Sequence, residues 1–260
     1  MKMNDEVPED QSHDFNIDKN ERQREENIKK YPKGLKNCSY TCYANAVFQI
    51  LLNTDTFYNF RVNFEVPLRE FVEDYYHSNE LVINPKNFYL LDSLADSRKG
   101  PDDTESFLRR LVYLYPSLLN VFGITIINDA DTNQDQLLED VPLICIPQEF
   151  SVKDGFARKY PIDVPSNYHD LILFKINRFE YGDNGNTEYS PKRVKINYNL
   201  KILENIYKLK GIVYTNRDTP IGHFLSIVFG DKQTYFINDA SVSTNCPTRL
   251  RDEIIEKKAD

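Results

Sequence analysis

The hydrophobic period of this chain changes at Pro116. Before it, apolar residues recur every three or four positions: Ala46, Val47, Ile50 and Leu51 after Tyr43, then Leu68, Phe71, Val72 and Tyr75 after Pro67. A third stripe, Phe107, Leu108, Leu111, Leu114 and Tyr115, runs from about Asp102 to Tyr115. That spacing is the signature of helices with one buried face. After Pro116 come short runs rich in β-branched and aromatic residues: "GITII", "VPLICI", "DLILFKINRF", "RVKINYNLKI", "YKLKGIVY", "HFLSIVFG" and "QTYFIN". Turn-forming stretches such as "YGDNGNTEYSP" at 181–191 separate several of them. A helical half followed by a stranded half predicts an α+β fold whose sheet is mostly antiparallel, from its hairpin-like spacing.

Residues 1–30 carry many charges and almost no large apolar side chains. They cannot offset their own ordering entropy, which predicts a disordered tail ahead of a folded domain over 31–260. A net charge of -8 and the lack of a Lys/Arg-rich block argue against nucleic-acid binding. No signal peptide is visible at the start, and no run approaches the ~18–20 apolar residues of a membrane span. The expectation is a soluble protein of the cytoplasm and/or nucleus. Cys38, Cys42, Cys145 and Cys246 are irregularly placed, which predicts reduced thiols rather than a disulfide framework. His13, His77, His169 and His223 lie far apart in sequence, so no metal and no cofactor are expected.

Chemistry concentrates at Cys42. A cysteine in the first turn of a helix feels free N–H groups and a partial positive charge, which favour thiolate. Acyl transfer by that thiolate needs an imidazole as base and acid, a group to orient the ring, and donors for the oxyanion. His223 in "PIGHFLSIVFG" is the candidate imidazole, and Gly222 just before it leaves room for a ligand. Asn238 or Asp239 in "YFINDAS", one hairpin later, can orient the ring. The competing reading makes Cys42 a small core residue and His223 a structural one.

The order of these pieces raises the first reading. "GLKNCSYTCYANAVFQILLN" resembles the cysteine box of the ubiquitin-specific proteases, which reads G-L-x-N-x-G-x-T-C-Y-x-N-S/A-x-x-Q-x-L; Gly34, Leu35, Asn37, Thr41, Cys42, Tyr43, Asn45, Ala46 and Gln49 match. "YKLKGIVYTNRDTPIGHFLSIVFGDKQTYFINDASV" resembles the histidine box and the hairpin that follows it. Two weaker echoes lie between, "PDDTESFLRRLVYLY" and "LILFKINRFEY". The resemblance implies a papain-like hand with a helical thumb, an antiparallel palm sheet and fingers. It implies a thiol-dependent deubiquitinase that cleaves after the C-terminal Gly-Gly of ubiquitin and binds ubiquitin or ubiquitinated proteins. By position, Cys42 becomes the nucleophile, His223 the general base and acid, Asn238 the orienter with Asp239 as the second acid, and Asn37 an oxyanion donor. Cys38 falls at a variable position. Asp103, helped by Asp102, becomes the contact for arginines of ubiquitin's tail, although Asp is also favoured at any helix start.

The departures are specific. Ser39 replaces the loop glycine, which can take φ > 0 without strain. Asn238 replaces the first Asp of the hairpin, and Phe224 replaces the Tyr that would offer a hydroxyl to the substrate tail. Pro101, Asp102 and Ser106 stand where Gln, Gln and Glu are usual. Only about 48 residues separate Phe122 from Leu171, with one cysteine among them. Zinc-bearing fingers do not fit there, which implies reduced fingers and, with them, a weaker grip, an accessory subunit that compensates, or a different ubiquitin-like substrate. Two alternatives stay open: a non-catalytic ubiquitin-binding scaffold, and a protease for another ubiquitin-like modifier.

Overall fold

A computed structural model describes residues 31–95, 102–122, 124–128, 137–141, 143–149, 151–159, 167–177, 179–181, 187–189, 194–202, 204–216, 222–230 and 233–244. The tail expected at 1–30, Cys246 and the turn residues 182–186 lie outside them. The chain divides after Tyr31. From Pro32 onward, β1 (Gly34–Leu35), α1 (Cys42–Leu51), α2 (Asp55–Phe60), α3 (Val66–His77), β2 (Val82–Ile83), α4 (Lys86–Leu90) and α5 (Thr104–Leu114) make up the helical half.

The apolar spacing predicts one buried face for α1. In the fold every residue of α1 except Ile50 is buried. The reason is that α1 lies between two layers, an aromatic cluster on one side and a sheet on the other. Phe48 packs edge-on to Phe71 at 5.1 Å and to Phe107 at 5.7 Å, and Phe71 stacks on Phe88 at 4.5 Å. Burying each such ring contributes roughly 2–3 kcal/mol. On the opposite side Ile50 packs against Val228, Tyr235 and Ile237 of the sheet. The polar members of α1 are satisfied internally, as burial requires: Gln49 Nε2 donates to Lys33 O at 2.8 Å. Pro67 sits in the first turn of α3, where its missing N–H costs nothing.

The stranded half comprises β3 (Ile124–Asn128), β4 (Leu137–Val141), β5 (Ile144–Ile146), then α6 (Val152–Lys159), β6 (Asn167–Tyr168), β7 (Phe174–Ile176), β8 (Phe179–Tyr181) and β9 (Thr187–Tyr189). It continues with β10 (Asn199–Ile202), β11 (Asn205–Lys208), β12 (Gly211–Asn216), β13 (His223–Phe229), β14 (Thr234–Asn238) and β15 (Ser241–Ser243). These strands build several small sheets rather than one. Antiparallel pairing dominates, as the spacing predicts, and β12-β13-β14-β15 form a four-stranded meander. Among the described residues two ladders are parallel instead, β1–β2 and β5–β7, the latter with Cys145 opposite Lys175. A parallel pair needs a long crossover, and α6 lies within it. Ile144, Ile146, Val152 and Phe156 of this unit share a core with Val194, Leu200 and Ile202. The segment between Phe122 and Leu171 thus holds β3, β4, β5, α6 and β6, and a bridge joins its two ends, Phe122 to Leu171.

Strand β13 alternates between two cores. Val228 faces the α1 side, whereas Ile227 and Phe229 face Tyr198, Leu209 and Ile212. This alternation fixes the register of the strand that begins at His223. Among the described residues no helix is long and apolar enough to cross a membrane.

Candidate active site

Cys42 is the first residue of α1, and Thr41, its N-cap, makes no side-chain bond to the helix. The Thr41 hydroxyl is used elsewhere: it accepts from Cys38 N–H at 2.9 Å and donates to Asn37 Oδ1 at 3.3 Å. Cys42 is 8 % exposed. Burial pushes its thiol up, against the pull of backbone hydrogen bonds from Phe224, Tyr43 and Cys42 itself, and Asp239 adds to the rise. The net direction is upward, so the helix N-terminus alone does not deliver the thiolate that its position suggested. The pull of the Phe224 backbone on this thiol places Cys42 beside the start of β13, where Phe224 follows His223.

His223 pairs in register with Asn216 on β12. The residue before it, Gly222, has φ 71, and nothing lies within 4 Å of the place a Cβ would occupy. The glycine is needed for its backbone angle, and among the described residues the space on its Cβ side is open. Nε2 of His223 lies 2.7 Å from Asn238 Oδ1. An amide oxygen only accepts, so Nε2 carries the proton and the neutral ring keeps its lone pair on Nδ1. Asp239 Oδ2 lies 3.8 Å from the same Nε2. Both hairpin candidates therefore meet the ring, the amide directly and the carboxylate behind it.

Asp239 is held from three directions. Its Oδ2 accepts from Asn37 Nδ2 at 2.8 Å, its Oδ1 from Asn45 Nδ2 at 2.7 Å, and its backbone oxygen from Leu35 N–H at 2.9 Å. β1 presses close to this turn, and a Cβ on Gly34 would fall 2.3 Å from Ala240 O. The loop between β1 and α1 is strained: Ser39 has φ 69 and Tyr40 φ 52. The serine adopts the left-handed conformation that the glycine of the motif would take freely, at a cost of roughly 1–2 kcal/mol for each such residue. Cys38 makes its own polar contacts beside this cluster. Its Sγ donates to Lys36 O and Asn84 Oδ1, each at 3.5 Å, and burial pushes its thiol up.

The α5 acids are engaged rather than free. Asp103 is the N-cap, with Oδ1 accepting from Glu105 N–H at 2.8 Å and Ser106 N–H at 3.0 Å, and Oδ2 accepting from Ser106 Oγ at 2.8 Å. Burial raises its carboxyl, but the bonds from Ser106 and Glu105 outweigh it and the net shift is downward. Asp102 pairs with Arg110 at 2.5 Å. Glu105 bonds Lys175 and Arg109, and the Lys175 bond is the main cause that lowers its carboxyl. Sequence reasoning matched Asn45 without giving it a role; an amide that, with Gln49, interrupts a mostly apolar helix was the available signal. Nothing in the sequence marks Tyr89, whose hydroxyl donates to Asn45 Oδ1 at 2.8 Å. Among the described residues no three His, Cys, Asp or Glu side chains converge as metal ligands.

No family model matches the chain, and no curated protein matches it in sequence. Solved structures match it in fold. A chain of the Ubp8–Sgf11–Sgf73–Sus1 SAGA DUB module superposes with a TM-score of 0.62 at 15% identity, over 88% of this chain and 66% of that one. The fold is USP-like. A yeast SAGA DUB module with an Sgf73 variant gives a TM-score of 0.63 at 15% identity, over 85% of this chain and 66% of that one. A Ubp8 variant module bound to monoubiquitin gives 0.64 at 14% identity, over 84% and 66%. The chain spans just under two thirds of the length of the chains it matches.

Proposed function

We propose that this chain is a thiol-dependent deubiquitinase that hydrolyses the peptide or isopeptide bond after the C-terminal Gly-Gly of ubiquitin. The supporting observation is the juxtaposition of a helix-borne Cys42 with the start of β13, where His223 is oriented through Nε2 by Asn238. Nδ1 of His223 takes the thiol proton as Sγ attacks the scissile carbonyl, then gives that proton to the departing amine. Water attacks the resulting thioester, His223 again serving as base, and the carboxylate of ubiquitin leaves. Asn238 fixes the tautomer, and Asp239 stabilises the imidazolium that forms. The developing oxyanion meets N–H groups of an α1 terminus that no side chain caps. Asn37 spends one amide hydrogen on Asp239, and the other is available to the same oxyanion. Gly222 and Phe224 flank the tail of the substrate beside the ring.

A second reading, a protease for another Gly-Gly-ended modifier, draws on α5. Asp102, Asp103 and Glu105 are all engaged within the protein, which leaves a weaker carboxylate site for an arginine-bearing tail. The matched structures come from modules with several subunits, in keeping with an accessory partner for a domain with reduced fingers.

The deciding experiment exposes the chain to ubiquitin bearing a C-terminal electrophile, beside equivalent probes made from other modifiers. A covalent ubiquitin adduct is expected that disappears in Cys42→Ala and persists in Cys38→Ala. Labelling by a different modifier alone selects the second reading. Adduct formation through Cys38, or with no probe, overturns the enzyme assignment and leaves a binding scaffold.

A further inference from the structure

The helix that presents Cys42 carries an amide, at Asn45, with no solvent to answer to. Asn45 is 1 % exposed, and each of its polar atoms has a partner. Nδ2 donates to Asp239 Oδ1 at 2.7 Å and to Leu35 O at 3.2 Å, while Oδ1 accepts from Tyr89 O–H at 2.8 Å. Tyr89 is 1 % exposed as well. Its burial, reinforced by Cys38, Asp239 and Tyr43, keeps the phenol protonated well above the usual tyrosine range, so it acts only as a donor here. The bond from Tyr89 holds the amide with its nitrogen toward the carboxylate. Asp239 has φ 49, a conformation that a non-glycine residue keeps only where its surroundings hold it.

We propose that Asn45 and Tyr89 are positioning residues that act through Asp239, keeping its carboxylate at the edge of the His223 imidazole. The inference rests on the reading of Cys42 and His223 as a working couple. Thiolate formation places a positive charge on the ring, and a carboxylate fixed 3.8 Å from Nε2 favours that charge without rearranging. Removing Asn45 frees Oδ1 to turn toward water. Removing the Tyr89 hydroxyl leaves Asn45 Oδ1 without its donor and loosens the orientation of the amide.

The test reads the couple without any ubiquitin substrate. Full-length chains are treated with iodoacetamide at pH 7, and the alkylation rate of Cys42 is followed by peptide mass spectrometry. Asn45→Ala is expected to slow alkylation about tenfold and Tyr89→Phe about threefold, the scale of a charge-assisted hydrogen bond and of its neutral support. In an Asp239→Ala background both effects should vanish, since they are transmitted by that carboxylate. Unchanged rates in both single variants, or the same fold-losses without Asp239, overturn the proposal. Tyr89→Phe keeps the ring packed against Phe48 and Phe107, so its rate decides the matter even where Asn45→Ala does not fold. A rate unaffected by His223→Ala condemns the Cys42–His223 couple itself, and the positioning role with it.

Discussion

Two helix N-termini in this molecule solve the same problem in opposite ways. At α5 the exposed N–H groups are capped by Asp103 from its own chain segment, and the neighbouring charges find partners mostly nearby, Asp102 with Arg110 and Glu105 with Arg109, with Lys175 the one that reaches Glu105 from 70 residues away. At α1 no side chain caps the helix, and the polar groups around its start reach across the fold. Asn37 bonds a carboxylate 202 residues away, and Asn45 bonds the same carboxylate across 194 residues. The first terminus spends its side chains on its own stability, worth about 1 kcal/mol for a good cap. The second forgoes that stabilisation and fastens a distant hairpin instead. Uncapped N–H groups beside the Cys42 thiol and an imidazole held by Asn238 are what it gains.

The contrast breaks first at His223. His223→Ala is expected to lower kcat toward a ubiquitin C-terminal fluorogenic substrate by about a thousandfold. Its thermal midpoint should move little, because the ring is only partly buried. Undiminished hydrolysis removes the ring from the chemistry. Asp239→Ala comes next, with a loss of about a hundredfold. It also destabilises the fold by roughly 2 kcal/mol in urea titrations, since Asn37 and Asn45 both lose a charged partner. A purely local role for Asp239 predicts no change in stability. Asn238→Ala should cost only about tenfold, because orientation is part of the work and Asp239 remains.

At α5 the expected effects are smaller and of another kind. Asp103→Ala should cost about 1 kcal/mol of stability through the lost cap. KM should rise by no more than a few-fold, about 1 kcal/mol, because both carboxylate oxygens are already engaged. A thirtyfold rise in KM with unchanged stability would show that the acid belongs to the substrate instead. The sign with pH follows from the lowered carboxyl: the stability Asp103 adds is present above its ordinary value of 3.8 and is lost as pH falls below it through the folded-state value. The gap in midpoint between the wild type and Asp103→Ala should therefore close on acidification. The smallest effect belongs to Ser226, 1 % exposed, whose hydroxyl has no hydrogen-bond partner among the described residues. Ser226→Ala should be neutral or stabilise by up to about 1 kcal/mol, as an unpaired buried hydroxyl is removed.

The sequence made some of this visible and hid the rest for physical reasons. The helical and stranded halves were legible because side-chain period follows directly from backbone geometry. Cys42, His223 and the Asn238–Asp239 pair were legible because their chemistry demands particular residue types. That Asn238 takes the direct bond was open, since either neighbour on a hairpin end can reach the ring. Asp103 read equally well as cap or contact, and only its three short bonds place it as the cap. α6 was missed: eight residues with Gly155 in the middle give a weak helical signal. The parallel pair β5–β7 followed from that same helix and was missed with it. Asn45 and Tyr89 could not be joined from sequence, because a hydrogen bond leaves no local period.

The separation of the site's two halves along the chain also sets an order in time. Cys42 and His223 are 181 positions apart (223 - 42 = 181). On a ribosome adding roughly 5–20 residues each second, the helix bearing the thiol emerges roughly 10–40 s before the imidazole strand. The β14–β15 turn that carries Asp239 follows later still, and only then can β1 dock against Ala240. A nascent chain thus carries the Cys42 thiol long before the His223 ring, and the candidate site becomes whole when the last sheet closes.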